Sequence, residues 1–198
     1  MKFKEEMEVF SDDKVIASVR EGNVRNFEIL IERYKTKIIN FVFRMILDYD
    51  EAQNISQEVF LKIFKNIKNY KENDNFQSFI YTIAKNMTLN YIKKQKRVVL
   101  FSSFSREKEE EKYTGISGTQ VYEIEKIEKD KLVTEALRLL NENQRLVLIM
   151  KVYLGFSYKK IRDITGWTIP KIETLISRAK QSLKKNVIMQ ERGDKVVK

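Results

Sequence analysis

The sequence predicts an all-α protein of two small helical domains joined by a flexible linker, the second containing a helix-turn-helix. Three observations lead there. One Pro and six Gly in 198 residues are too few turn-formers for an all-β fold. Apolar residues recur at helical spacing from 11 to 97 and again from about 129 to 186. Between these stretches the period is lost: Ser102, Ser103, Ser105, Gly115 and Gly118 intervene, and Arg106 to Asp130 carries five cations against eight anions. Residues 98–128 therefore read as a solvated linker between a domain over 8–97 and another over 129–187.

Each element has its own signals. Ser11-Asp12-Asp13 can cap a first helix carrying Val15, Ile16 and Val19, and Gly22-Asn23 breaks it. Phe27, Leu30, Ile31, Tyr34, Ile38, Phe41, Val42 and Met45 form the stripe of a longer helix. Asp48-Tyr49-Asp50 ends it and begins the next, whose stripe is Ala52, Ile55, Val59, Ile63 and Phe64. Tyr70 to Asn75 is a polar loop. After it Phe76, Phe79, Ile80, Ile83, Ala84, Met87 and Tyr91 fit one helical face, on a helix running into Lys93-Lys94-Gln95-Lys96-Arg97. Beyond the linker, Asn141 and Gln144 can form a capping box before Leu146-Val147-Leu148-Ile149-Met150. The tail beyond Val187 is expected to fray.

Residues 156–183 have the layout of a helix-turn-helix. Tyr158, Ile161 and Ile164 stripe a short first helix. Gly166 stands where the turn needs a left-handed residue, Thr168 can cap the second helix, and Pro170 falls in its first turn. Ile169, Ile172, Ile176 and Leu183 face the first helix. Lys171, Thr174, Ser177 and Arg178 are left on the side that could enter a major groove. A helical hairpin with Gly in its turn is also an ordinary packing motif, and charge decides between the two. Arg145 to Lys198 holds thirteen cations and four anions, net +9 of the chain's +10. A phosphate-binding surface needs that concentration.

Composition also excludes. Without Cys or His there are no disulfides, none of the usual zinc sites and no Cys- or His-based catalysis. No carboxylate cluster suggests a metal, so no cofactor and no catalytic residue are expected. No apolar run approaches the roughly 20 residues of a membrane span. The N-terminal Met-Lys-Phe-Lys-Glu-Glu lacks the apolar core of a secretion signal, and a cytoplasmic location is expected.

Four motifs stand in order along the two units. They are Asp50 to Lys62 (Asp-Glu-Ala-Gln-Asn-Ile-Ser-Gln-Glu-Val-Phe-Leu-Lys), Phe76 to Asn86 (Phe-Gln-Ser-Phe-Ile-Tyr-Thr-Ile-Ala-Lys-Asn), Leu140 to Arg145 and the helix-turn-helix ending Ser177-Arg178-Ala179-Lys180. They give the chain its resemblance to a bacterial RNA polymerase sigma factor of the extracytoplasmic-function type. The resemblance spans both units. It implies that the first domain docks on a coiled coil of core RNA polymerase through Asn54, Gln57, Glu58 and Leu61. It implies that the Phe76–Arg97 helix opens promoter DNA and holds its start-proximal element, with Asn86, Asn90, Lys93, Lys94, Lys96 and Arg97 as candidates. The Tyr70–Asn75 loop is a candidate base pocket, and Tyr70 and Tyr81 are left open as stacking platforms. It implies that the second domain reads the upstream element with Thr168, Lys171, Thr174, Ser177 and Arg178, with Lys180, Lys184 and Lys185 suited to phosphates. Many members are held inactive by an anti-sigma partner, and nothing in the sequence identifies one.

The pattern departs from the family at Asn54 and Asn90, where Asp is common, and at Phe79, where Trp is usual. Arg162 stands where a small residue lets the two helices of the motif approach; it either splays them or lies along Trp167. Pro170 replaces a small residue, and Glu173 and Leu175 replace common cations of the reading helix. Two other readings share the motif. A dimeric repressor or activator leaves residues 50–64 unexplained, and a recombinase needs a nucleophile with cationic helpers that residues 11–97 do not offer.

Overall fold

Helix α1 (Asp12–Arg20) starts where Ser11 Oγ accepts the Lys14 amide at 3.4 Å, with Asp12 and Asp13 beside the positive end of the helix dipole. Val15, Ile16 and Val19 are buried, as their spacing predicts. Gly22 then turns the chain at φ 106°, and a short 3-10 turn (Val24–Asn26) leads into α2 (Phe27–Ile46). The structure, a computed structural model, describes residues 10–70, 75–103 and 134–191. The chain divides into two compact units between Thr88 and Leu89.

In the first unit α2 supplies most of the core. Ile29 and Ile39 are buried alongside Leu30, Tyr34, Ile38, Phe41, Val42 and Met45, while Ile31, expected inward, is half-buried. The helix is covered over more than one stripe, which a single-face reading misses. It ends at Leu47, which adopts the left-handed conformation (φ 64°) that Gly usually takes, its amide bonded to the Phe43 carbonyl at 2.6 Å. Asp48 caps α3 (Tyr49–Asn66) by accepting the Glu51 amide at 3.0 Å. Ala52, Ile55, Val59, Phe60 and Ile63 of α3 face inward. Ser56 is buried with them and returns its hydroxyl to the Ala52 carbonyl. Phe64, expected in that stripe, is 37% exposed and meets Phe27 edge-on at 5.1 Å.

Asn75 Oδ1 accepts the Ser78 amide at the start of α4 (Phe76–Ser103). The buried face of this helix is Phe76, Ile80, Tyr81, Ala84 and Thr88. Ile83, Met87 and Tyr91, expected inward, are half-buried. Edge-to-face pairs of Tyr34 with Phe76 and of Phe41 with Tyr81 lock α4 onto α2. The helix runs on to Ser103, so residues 98–103 are helical where a loose linker was expected. The rest of the expected linker lies outside the described residues.

The second unit gathers the latter part of α4 from Leu89 on, a helical turn at 134–138, α5 (Glu142–Leu148), α6 (Tyr158–Thr165) and α7 (Ile169–Glu191). The capping box is formed on both arms: Gln144 N to Asn141 Oδ1 at 3.0 Å and Asn141 N to Gln144 Oε1 at 3.3 Å. α5 widens into a π-helical turn over Ile149–Tyr153, which no sequence signal announces. Arg145 donates to the carbonyls of Leu137 (2.8 Å) and Leu140 (3.2 Å) and so ties the segment before α5 to it. Leu146, Val147, Met150, Ile161, Ile164, Ile172, Ile176 and Ala179 make the core. α7 continues through 187 to Glu191, past the point where fraying was expected.

Candidate nucleic-acid interface

The helix-turn-helix is built from α6 and α7. Ser157 caps α6 by accepting the Lys160 amide at 3.1 Å, and Gly166 ends it at φ 73° with its amide on the Arg162 carbonyl. Thr168 immediately precedes α7, and its carbonyl accepts the Ile172 amide at 3.1 Å. Ile172 and Ile176 are buried, and Ile169 and Leu183 are half-buried. Thr168, Lys171, Thr174, Ser177, Arg178, Lys180, Lys184 and Lys185 are all exposed. Two of these side chains have local partners. Thr174 turns its hydroxyl back to the Pro170 carbonyl at 2.8 Å, and the Lys171 ammonium lies 4.4 Å from the centre of the Trp167 ring. The Arg162 guanidinium turns to Asp163, at 3.0 and 3.1 Å. Burial pushes the Lys160 ammonium pKa down; it lies over the Phe156 ring at 4.8 Å.

On α4, Asn86, Asn90, Lys93, Lys94, Lys96 and Arg97 are exposed. Asn86, Asn90, Lys93 and Arg97 follow one another at intervals of three and four residues and so share a stripe, with Lys94 and Lys96 on its two flanks. Lys96 is ion-paired with Glu142. That hydrogen bond holds the Glu142 carboxyl below the usual carboxylate range. Lys85, the residue before Asn86, is half-buried, and burial pushes its ammonium pKa down.

The structure changes the reading of the aromatic candidates. Tyr70 is 3% exposed, its hydroxyl donates to Asp13 at 2.9 Å, and its ring packs on Phe76 and Phe79. Tyr81 is 1% exposed, edge-on to Phe41. Neither ring is available to stack on a base. Residues 71–74 of the candidate base pocket lie outside the described residues.

Sequence reasoning missed what fixes this corner. Arg20, at the end of α1, donates to the carbonyls of Ile67 (3.0 Å), Lys68 (3.5 Å) and Tyr70. Arg20 and Asp13 together bind α1 to the segment following α3. An arginine in the last turn of a helix reads from sequence as a dipole partner, and its distant carbonyls are invisible there.

Asn54, Gln57, Glu58 and Leu61 are exposed on α3, staggered by three and four residues along one stripe. Leu61 is 59% exposed, an apolar side chain in the middle of a polar face. Val59 and Ile63 point the other way, into the core. Among the described residues no helix is long and apolar enough to cross a membrane, and no group of three or more Asp or Glu could hold a metal ion.

Residues 30–98 match the family described as Sigma-70 region 2, and residues 130–183 match Sigma-70, region 4. Together the two matches span more than half of the chain. The RNA polymerase sigma factor YlaC of Bacillus subtilis is 25% identical over 171 residues, covering 86% of this chain and 97% of that protein. The ECF RNA polymerase sigma factor SigW of the same organism is 26% identical over 186 residues, covering 88% and 95%. Among solved structures, the sigma factor RpoE of Bartonella quintana, in complex with the anti-sigma factor NepR, aligns with a TM-score of 0.63 at 20% identity. That alignment covers 81% of this chain and 96% of RpoE, and it shows the shared fold. Two modules matched in this order to Sigma-70 regions 2 and 4 define a transcription initiation factor. The chain belongs to the sigma-70 family and is an RNA polymerase sigma factor of the extracytoplasmic-function type. It directs promoter-specific transcription as a partner of core RNA polymerase and promoter DNA.

Proposed function

We propose a division of labour between the two modules. Asn54, Gln57, Glu58 and Leu61 dock the first on core polymerase. The α4 stripe of Asn86, Asn90, Lys93, Lys94, Lys96 and Arg97 tracks the opened strand near the start site, cations on phosphates. The second module lays α7 in the upstream major groove, with Thr168, Lys171, Thr174, Ser177 and Arg178 toward bases and Lys180 and Lys184 toward phosphates. A domain over 8–97 and one over 129–187, tethered by 98–128, raise each other's effective concentration at one promoter. The protein acts in the cytoplasm and performs no catalysis of its own, bond formation belonging to the polymerase. The RpoE structure carries an anti-sigma factor, and a protein inhibitor of that kind is a further expected partner.

The observation that carries this reading is the exposure of all three candidate sets on helices whose opposite faces are core. In vitro transcription with purified core polymerase and genomic fragments, with start sites mapped, tests it. Initiation at a defined set of fragments is expected. A chain that leaves core polymerase without new start sites, or that binds a palindrome tightly by itself, overturns it.

A further inference from the structure

Trp167 is the chain's single tryptophan, and the surfaces described so far leave it unused. It lies between Gly166, whose left-handed turn ends α6, and Thr168, which precedes α7. Its amide donates to Thr165 Oγ1 at 3.2 Å, which fixes the backbone of the turn. Its side chain is half-buried, and the Lys171 ammonium covers the ring at 4.4 Å. Two other lysines of this unit lie over rings, Lys151 on Tyr158 at 4.6 Å and Lys160 on Phe156 at 4.8 Å. Of the three only Lys171 is exposed, and only Lys171 belongs to α7.

A lysine free in solvent samples many rotamers and loses that freedom when it binds. An ammonium held over an indole is already restricted, because the negative face of the ring attracts it. We propose that Trp167 is a positioning residue for the upstream promoter contact, holding Lys171 ordered at the leading edge of the reading helix. The ammonium then meets an acceptor oxygen of duplex DNA, on a phosphate or a guanine, with less ordering left to do. This rests on the reading of α7 as the groove-facing helix.

The test uses the full chain assembled with core polymerase on a genomic fragment whose start site has been mapped. Promoter affinity is measured for Trp167→Leu, Trp167→Phe, Lys171→Ala and the Trp167→Leu/Lys171→Ala pair, with unfolding midpoints alongside. Lys171→Ala and Trp167→Leu should each weaken binding by about two- to five-fold. The pair should be no weaker than Lys171→Ala alone, and Trp167→Phe should retain most of the affinity. A salt slope lowered by roughly one in Lys171→Ala identifies a phosphate as the acceptor. An unchanged slope with loss at one base pair identifies guanine. Additive losses, or equal damage from Phe and Leu, overturn the positioning role while Lys171→Ala still shows that the lysine touches DNA. No loss in Lys171→Ala removes the proposal; whether α7 reads the groove at all is then answered separately by Arg178→Ala. If Trp167→Leu does not fold, the cycle is closed with Trp167→Phe, which must then show a smaller but measurable coupling to Lys171.

Discussion

Arg178 and Lys184 are both exposed cations of α7, yet they differ in what they can ask of DNA. A guanidinium can bond a guanine edge bidentately, whereas an ammonium is a point charge suited to a phosphate. Arg178→Ala should therefore lose about 1–3 kcal/mol of discrimination at one base pair. Lys184→Ala should weaken all sequences alike and lower the salt slope by roughly one. Competition binding against single-base variants of a mapped promoter separates the two. In the first unit the informative side chain is Arg20. Arg20→Ala removes the guanidinium from the Ile67, Lys68 and Tyr70 carbonyls, of which Ile67 keeps the Tyr70 amide at 3.3 Å. A cost of about 1–3 kcal/mol in urea unfolding is expected, with the Leu61 face unaffected.

Elements bring other tests. Gly166 holds φ 73°, and a Cβ placed there meets no atom within 4 Å. The cost of Gly166→Ala is therefore backbone strain alone, about 1–2 kcal/mol, read from thermal unfolding of the second unit. On α3, Glu58→Lys should impair capture of core polymerase with no loss of helical signal, since its side chain is exposed and the core lies on the opposite face. A pull-down with purified core enzyme checks it, and equal capture would contradict the docking stripe. Helix ends were the most legible features in the sequence. Ser11, Asp48, the Asn141–Gln144 box and Gly166 all carry short-range chemistry that depends only on near neighbours. The exposed stripes of α3, α4 and α7 were legible for the same reason, since helical spacing fixes which residues share a side. The inward face of α4 was not. Its apolar residues surround too much of the helix for periodicity to choose between Ile83 and Tyr81, and packing against Phe41 made the choice. Leu47 and the π-helical turn at Ile149–Tyr153 carry no residue signature and were illegible.

At the scale of the whole molecule, charge governs. The net charge of +10 contains no histidine, so no side chain of ordinary pKa titrates between about pH 5.5 and 7. DNA affinity at constant ionic strength should be flat across that window, as anisotropy would show, and should fall steeply with added salt. Lys85 and Lys160 have ammonium pKa values lowered by burial. They discharge below the ordinary lysine range as pH rises, and because the unfolded chain holds those protons longer, their effect is to favour folding toward alkaline pH. Trp167 lies in the second unit, so its emission reports that unit, while circular dichroism reports both. Gly166→Ala should move the fluorescence transition and Arg20→Ala the dichroism alone; coincident shifts in both variants would show one cooperative body. The contacts of α1 bear on how this protein is cut for study. The family match begins at residue 30, yet Val15, Ile16, Asp13 and Arg20 are built into the first unit. A fragment trimmed to the matched boundary would expose the surface those residues cover, and its poor yield or sticky behaviour would reflect the scissors rather than the sigma factor.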